Sequence, residues 1–523
     1  MSWTACPTEI RQEILEYLRD FKCRLYDEPD VRRQRREAKT ASQSTYASVC
    51  REWNHFFEAA NFHRLIINQD DIDTFGKLMV KGREQHPRAV DLRWIWLRLD
   101  LPTYDCTRCG EPESPKEVRA SKQIFTRSLR RLFNILSRFD ASHPGITFEL
   151  SADSPSLVYH YAQEVDSISR DTAWKAADEE GLTDTVLEDQ HHNWEDGFRG
   201  PISDDAAMRI TGSPSGLGFT ERQTPRTSEL PNVSVIKAFM IRAQCYRYFA
   251  VREGLEHIIK ACPELRDLTY ETWKALNTAQ LNRQLVRVRD WEYLISDVFK
   301  DCGSLRKVSL FEGASRCNLD ADEANWTWGD PAPGLGTALA EKSRGLEELY
   351  VNNLVDGNEF FGEFRSEVPT PKYETMMQWS NLRRVSLFTQ LLQRENFDDS
   401  IKAGGRAARN MPQLEFMELW YTGEDFQYVF TYHTAKHLHD KHKLGLRISW
   451  GGRLSRDTLA IWRESVSDRV GGMGLRLVRQ ERGFKALQGR DEFCSLVLKG
   501  DVLTTTTRQQ IENRSFLKKS DFA

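Results

Sequence analysis

The sequence predicts an α/β protein: a short N-terminal helical module followed by an irregular leucine-rich-repeat-like β/α solenoid with one strand and one helix per repeat. Three observations lead there. First, a pattern Leu-x-x-Φ-x-Φ, with Φ apolar, recurs five times in the second half of the 523 residues. Its copies are Leu265-Arg-Asp-Leu268-Thr-Tyr270, Leu305-Arg-Lys-Val308-Ser-Leu310, Leu346-Glu-Glu-Leu349-Tyr-Val351, Leu382-Arg-Arg-Val385-Ser-Leu387 and Leu414-Glu-Phe-Met417-Glu-Leu419, starting 40, 41, 36 and 32 positions apart. Helical stretches precede most of them (Val235 to Cys262, Leu281 to Cys302, Leu335 to Ser343, Ile401 to Met411), so the repeating unit is one strand and one helix. Second, two amphipathic helices open the chain. Third, a hydrophobic fraction of 40% with 14 Trp and 27 Phe is ample for a large core and excludes a wholly disordered chain. The alternative is a doubly wound sheet, whose buried strands read as near-continuous apolar runs; these strands do not.

The first helix begins at Pro7, whose missing N–H costs nothing in the first turn. Ile10, Ile14, Leu15 and Leu18 then fall at i, i+4, i+5 and i+8 on one face. In the second helix Tyr46, Val49, Cys50, Trp53, Phe56 and Phe57 form a stripe wide enough to bury. About sixty residues cannot enclose that much apolar surface, so residues 1–61 must pack on another domain or another protein.

These residues resemble a known family. Cys6-Pro7-Thr8-Glu9-Ile10 running to Ile14-Leu15 and Leu18, followed by Val49-Cys50-Arg51-Glu52-Trp53, is similar to an F-box, the helical module that docks on the Skp-type adaptor of cullin–RING ubiquitin ligases. The resemblance implies Pro7, Ile10, Ile14, Leu15, Leu18, Val49, Cys50 and Trp53 as the adaptor-facing set. It extends through Arg242-Ala-Gln-Cys-Tyr-Arg247, Leu349-Tyr-Val-Asn-Asn-Leu-Val355 and Met411-Pro-Gln-Leu-Glu-Phe-Met-Glu-Leu-Trp420, which look like filamentous-fungal F-box-type proteins. It implies a substrate-recognition adaptor that binds a Skp-type adaptor, through it a cullin scaffold, and a protein target. Two readings stay open beside it: helices that merely cap a larger core, and a regulatory scaffold that uses the module without a ligase.

Residues 62–150 alternate strand and helix: strands at Phe62 to Ile67, Val90 to Leu99 and Ile146 to Leu150, helices at Ile72 to Val80 and Val118 to Phe139. Residues 151–230 read as an acidic, partly disordered insertion. From Asp153 to Asp205 there are fourteen Asp and Glu against Arg170, Lys175 and Arg199, and Thr211 to Pro231 is rich in Gly, Ser, Thr and Pro. Residues 231–450 carry the repeats, and 451–523 form a C-terminal cap with a frayed polar tail.

In a strand that buries positions four and six of each unit, positions three, five and seven point the other way. That places Phe311, Tyr350, Phe388, Phe416 and Trp420 on an open face, an aromatic stripe suited to anchoring a protein target. The alternative is that other segments bury them.

A formal charge of −4 offers no general pull toward nucleic acid or membrane. The basic run Arg32-Arg33-Gln34-Arg35-Arg36 reads as a solvated helix face or a nuclear-import signal. No apolar run reaches the roughly 18 residues of a membrane span, and no basic region followed by an apolar core opens the chain, so a cytoplasmic or nuclear location is expected. Ten cysteines without framework spacing point to reduced thiols. Cys106-Thr-Arg-Cys109 lacks a second ligand pair for zinc and, in a Pro/Glu-rich turn, a helix N-terminus to activate a thiol. Gly212-Ser-Pro-Ser-Gly216 puts Pro214 where a nucleophile elbow needs Ser, and no phosphate-binding loop appears. No catalytic, cofactor or metal constellation is read, and a non-catalytic protein is expected.

Overall fold

The structure, a computed structural model, describes residues 3, 6–25, 46–82, 84–157, 194–195, 198–199, 203–213, 215–220, 230–243, 245–274, 281–314, 333–352, 354–366, 378–389, 396–422, 427–434, 446–450, 454–470 and 475–479. The basic run at 32–36, the acidic stretch at 158–193 and the tail beyond 503 lie outside these residues.

One twelve-stranded sheet organises the chain, and its strands stand side by side in sequence order. They are β1 (Arg64–Asn68), β2 (Trp94–Asp100), β3 (Ile146–Asp153), β4 (Ile236–Ile241), β5 (Asp267–Lys274), β6 (Lys307–Ala314), β7 (Glu348–Asn352), β8 (Arg384–Phe388), β9 (Phe416–Thr422), β10 (Gln427–Thr434), β11 (Leu446–Trp450) and β12 (Leu475–Arg479). From β1 to β9 every pairing is parallel; β10 runs antiparallel to both its neighbours, and β12 is again parallel to β11.

The register explains why the pattern repeats. Leu268, Val308, Leu349, Val385 and Met417 stand opposite one another across successive strands. First, fourth and sixth positions of all five expected units are buried: Leu265, Leu268 and Tyr270 through to Leu414, Met417 and Leu419. The same row runs back through Phe239, Phe148, Ile95 and Leu65. Phe62-x-x-Leu65-x-Ile67, Leu92-x-x-Ile95-x-Leu97 and Ile236-x-x-Phe239-x-Ile241 are therefore further copies, and Gly145 opens a weaker one ending at Phe148-x-Leu150. At the second position, Arg93 and Arg306 each donate to two carbonyls of the preceding turn, those of Val90 and Leu92 and those of Gly303 and Leu305. This closes the turn that enters the strand.

The helices are α1 (Thr8–Leu25), α2 (Arg51–His63), α3 (Ile72–Met79), α4 (Pro115–Leu136), α5 (Asp204–Thr211), α6 (Glu256–Lys260), α7 (Leu281–Tyr293), α8 (Leu335–Lys342), α9 (Asn396–Ala408) and α10 (Arg456–Val470). α4 starts with Pro115 behind a full capping box between Ser114 and Glu117, and buries Phe125, Leu129, Leu132, Phe133 and Leu136 in the core that holds the inward strand residues. α9 and α10 meet closely because Gly404 and Gly405 carry no side chain. A Cβ on Gly405 would sit 2.9 Å from Trp462 Nε1, and one on Gly404 would sit 2.9 Å from Leu419 Cδ1.

Several expectations need correction. The helical stretch Val235 to Cys262 begins with strand β4, because pairing with β3 and β5 outweighs the local apolar period. The parallel order fails at β9 to β11, where two antiparallel pairings follow one another. Within the expected cap, Arg456–Val470 forms α10 and Leu475–Arg479 forms the last strand of the main sheet, β12. Residues 151–230 are not one insertion. Strand β3 runs through Asp153, α5 buries Ala206, Ala207 and Ile210, and Leu217, Phe219 and Leu230 join the core. Acidic composition misled there because the few apolar residues are spaced to reach the body of the protein.

The open aromatic face is also corrected. Phe311, Tyr350, Phe388, Phe416 and Trp420 are all buried, Trp420 completely so. Strand alternation does turn them away from the helical side, and Phe388 stands opposite Trp420 as parity requires. That side of the sheet is covered as well, so large rings sit there without exposing apolar area to water.

Candidate functional site

The exposed apolar surface concentrates at the N-terminal helices. Among the described residues eight large hydrophobic side chains are exposed, and four belong here: Ile10, Ile14, Tyr17 and Val49. Ile10, Ile14 and Tyr17 fall at i, i+4 and i+7, so they make one stripe along α1. Tyr17, 62% exposed, extends the face beyond the residues expected from the sequence. The seven-residue spacing from Ile10 could have found it.

The expected set of eight divides in two. Pro7, Ile10, Ile14, Val49 and Cys50 are exposed and adjacent to α1 and α2, whereas Leu15 is buried and Leu18 and Trp53 are half-buried. Trp53 turns inward because aromatic neighbours hold it. Its ring lies 5.3 Å from Trp3, 6.1 Å from Tyr46 and 5.7 Å from the buried Phe57. A polar clasp fixes the two helices above this cluster: Glu52 accepts from Trp3 Nε1 at 2.8 Å and from Arg11 at 2.7 Å. Inner residues thus set the angle between α1 and α2, while the outer ones remain available to a second surface.

A second concentration of chemistry lies where β2, β3 and β4 end. Arg247 makes a two-pronged pair with Glu113 at 2.7 and 2.8 Å. Arg209, from α5, reaches Glu117 at 3.2 Å and the carbonyls of Glu111 and Pro112 at 2.5 and 3.1 Å, with its guanidinium over the Tyr104 ring. Asp153 completes the wall, and the space enclosed takes about one water molecule. No organic substrate fits there. The group ties residues 203–211 and 242–250 to the start of α4, joining segments roughly a hundred positions apart by charges that compensate one another when buried.

Burial pushes the Asp153 carboxyl up to about 6, against the pull of Arg98 and Arg247 and with help from Asp100. Burial also acts on Glu117, but hydrogen bonds from Ser114 and Arg209 outweigh it and hold that carboxyl at about 2. The two carboxyls have opposite linkage. Glu117, depressed when folded, stabilises the fold above the ordinary Glu range and loses that contribution as pH falls from about 4 to 2. Asp153, raised when folded, keeps a proton that the unfolded chain has released, so its contribution is lost as pH rises from about 4 to 6. Asp153→Asn is therefore expected to raise stability at pH 7.5 by roughly 1–3 kcal/mol, with the gain gone at pH 4. Urea unfolding at both pH values measures it, and an unchanged or lower midpoint at pH 7.5 would refute the assignment.

Glu149 and Arg242 form a third group on the sheet itself, both buried, with Arg242 Nε 2.5 Å from Glu149 Oε1. Burial pushes the Glu149 carboxyl up while Arg242 opposes it. Ser386 donates to the buried Glu418 at 3.0 Å further along the same face. Sequence reading missed this polar row, although acidic residues at fifth positions of otherwise apolar strands were visible. Cys106 and Cys109 share a short turn, and among the described residues no three His, Cys, Asp or Glu side chains gather as a metal site.

Residues 301–504, from just before β6 to beyond β12, match a family described as a family of unknown function, DUF6546. No curated protein matches the chain. Among the described residues no helix is long and apolar enough to cross a membrane.

Proposed function

We propose that the protein is an adaptor of a Skp–cullin–RING-type ubiquitin ligase, with α1 and α2 as its F-box-like docking module and the sheet as a leucine-rich-repeat-like solenoid that receives a protein target. The observation that carries this reading is the exposed set Pro7, Ile10, Ile14, Val49 and Cys50, an apolar face left outward by two helices whose inner residues are already satisfied. The in-register row of leucines and other apolar residues from Leu65 to Met417 supports the solenoid. The buried aromatics are withdrawn as target contacts; recognition by the repeats must use other residues.

Testing the docking face requires substitutions that leave the fold alone. Leu15→Asp would unfold the module, since Leu15 is 3% exposed, so Ile14→Asp and Val49→Asp are the informative changes. Each should lower affinity for a purified Skp-type adaptor at least a hundredfold, because burying an unpaired carboxylate costs several kcal/mol, while the thermal transition stays unchanged. Undiminished binding by both variants would overturn the proposal. Adaptor binding without recruitment of a cullin by the wild-type protein would favour a regulatory scaffold instead.

A further inference from the structure

We infer that Cys106 and Cys109 are a dithiol site that closes to an intramolecular disulfide by exchange with a small disulfide such as oxidised glutathione. The two residues are the ends of one turn. Cys106 opens a 3-10 turn running to Arg108, and the Cys109 N–H donates to the Cys106 carbonyl at 3.3 Å. Residues joined by such a bond have Cα atoms within about 7 Å, the range a disulfide spans.

The turn is held at both ends. Asp105 Oδ1 accepts from the Thr107 N–H at 3.0 Å and from its hydroxyl at 2.5 Å. On the far side Arg108 pairs with Glu117 at 2.9 Å, the Glu111 N–H donates to the Arg108 carbonyl at 3.1 Å, and buried Arg209 binds the Glu111 carbonyl. Closure therefore orders little that is not ordered already.

Exposure differs across the pair in a useful way: Cys106 is exposed and Cys109 half-buried. The outer sulfur meets the oxidant and the inner one is sheltered from it. Burial pushes the Cys245 and Cys262 thiols up, and Cys302 to about 11, which removes them from exchange at neutral pH. Cys50 is also exposed, but its turn holds no second cysteine.

The chemistry balances in two displacements. Cys106 loses its proton to solvent, and its thiolate attacks one sulfur of oxidised glutathione, forming a mixed disulfide and releasing one glutathione thiolate, which takes up a proton. The Cys109 thiolate, having also given up its proton, then attacks Cys106 Sγ, forms the protein disulfide and expels the second glutathione. Two electrons pass from the two cysteines to the oxidant, which leaves as two thiols.

Arg108 between the cysteines makes the product easy to recognise. Trypsin cleaves after it, so only a disulfide can hold residues 99–108 to residues 109–116. The full-length protein is incubated natively with oxidised glutathione, alkylated and digested without reductant. The linked pair of peptides is expected as the main product of both, at least tenfold over either peptide carrying glutathione. Cys106→Ser and Cys109→Ser should each abolish the linked species and keep the thermal transition of wild type, and Cys109→Ser alone should leave glutathione on the remaining Cys106. Separate glutathione adducts on the two wild-type peptides, or neither peptide modified, would overturn the assignment.

Discussion

Phe388→Ala combined with Trp420→Ala is expected to destroy cooperative folding or lower the melting temperature by about 5 °C or more. Both rings are buried, their centroids lie 5.2 Å apart in an edge-to-face contact, and they stand opposite each other in the parallel pairing of β8 and β9. Removing a buried Phe or Trp typically costs about 3–5 kcal/mol in lost burial and residual cavity. The two changes share one contact, so their sum overstates the pair, yet even about 5 kcal/mol is a large fraction of what an ordinary domain has. Differential scanning calorimetry on the single and double variants decides the matter. An unaltered transition in the double variant would mean that the rings face solvent, and the recognition stripe first read from the sequence would return.

Arg242→Met should cost about 3–5 kcal/mol, because it removes the guanidinium that bonds the buried Glu149 carboxyl directly. Glu149 is 1% exposed and Arg242 5%; the other Glu149 oxygen is met by Trp94 Nε1 at 2.9 Å, and the guanidinium lies 5.1 Å from the Trp96 ring centre. A companion variant separates the charge from the packing. Glu149→Leu with Arg242→Met replaces both ions by apolar groups of similar length and should recover at least half of the loss. Denaturant midpoints give both numbers. A single variant within about 1 kcal/mol of wild type would show that the pair is worth no more than a surface one.

How much of this was legible depends on how local each cause is. The Leu-x-x-Φ-x-Φ units could be read because a strand's two-residue alternation and the entering leucine are written within six positions, and all fifteen apolar positions of the five units are buried. Three earlier copies and the one at Gly145 were passed over, since Phe62, Ile236 and Gly145 replace the leading Leu, and Leu92, which keeps it, stands 30 positions after one such copy and 53 before the next. The stripe of α1 was legible for the same reason as the strands: 3.6 residues per turn put Ile10, Ile14 and Leu18 on neighbouring rows. That Leu15 is buried while Ile10 and Ile14 are left outward was not, because the helix that meets α1, bonded to it through Arg11 and Glu52, lies some forty residues away.

By itself, then, the sequence determined the alternation of strand and helix, the identity of the inward residues, the turn that joins Cys106 to Cys109, and the apolar character of the N-terminal helices. Only the tertiary structure decided that the second side of the sheet is covered, turning Phe311, Tyr350, Phe388, Phe416 and Trp420 from contacts into core. It alone joined Glu149 to Arg242, 93 positions apart, and buried Ala206, Ala207, Ile210, Leu217 and Phe219, from what reads as an acidic insertion. Periodicity fixes which way a side chain points relative to its own backbone; what it meets there is set by segments far along the chain, whose approach no local pattern records.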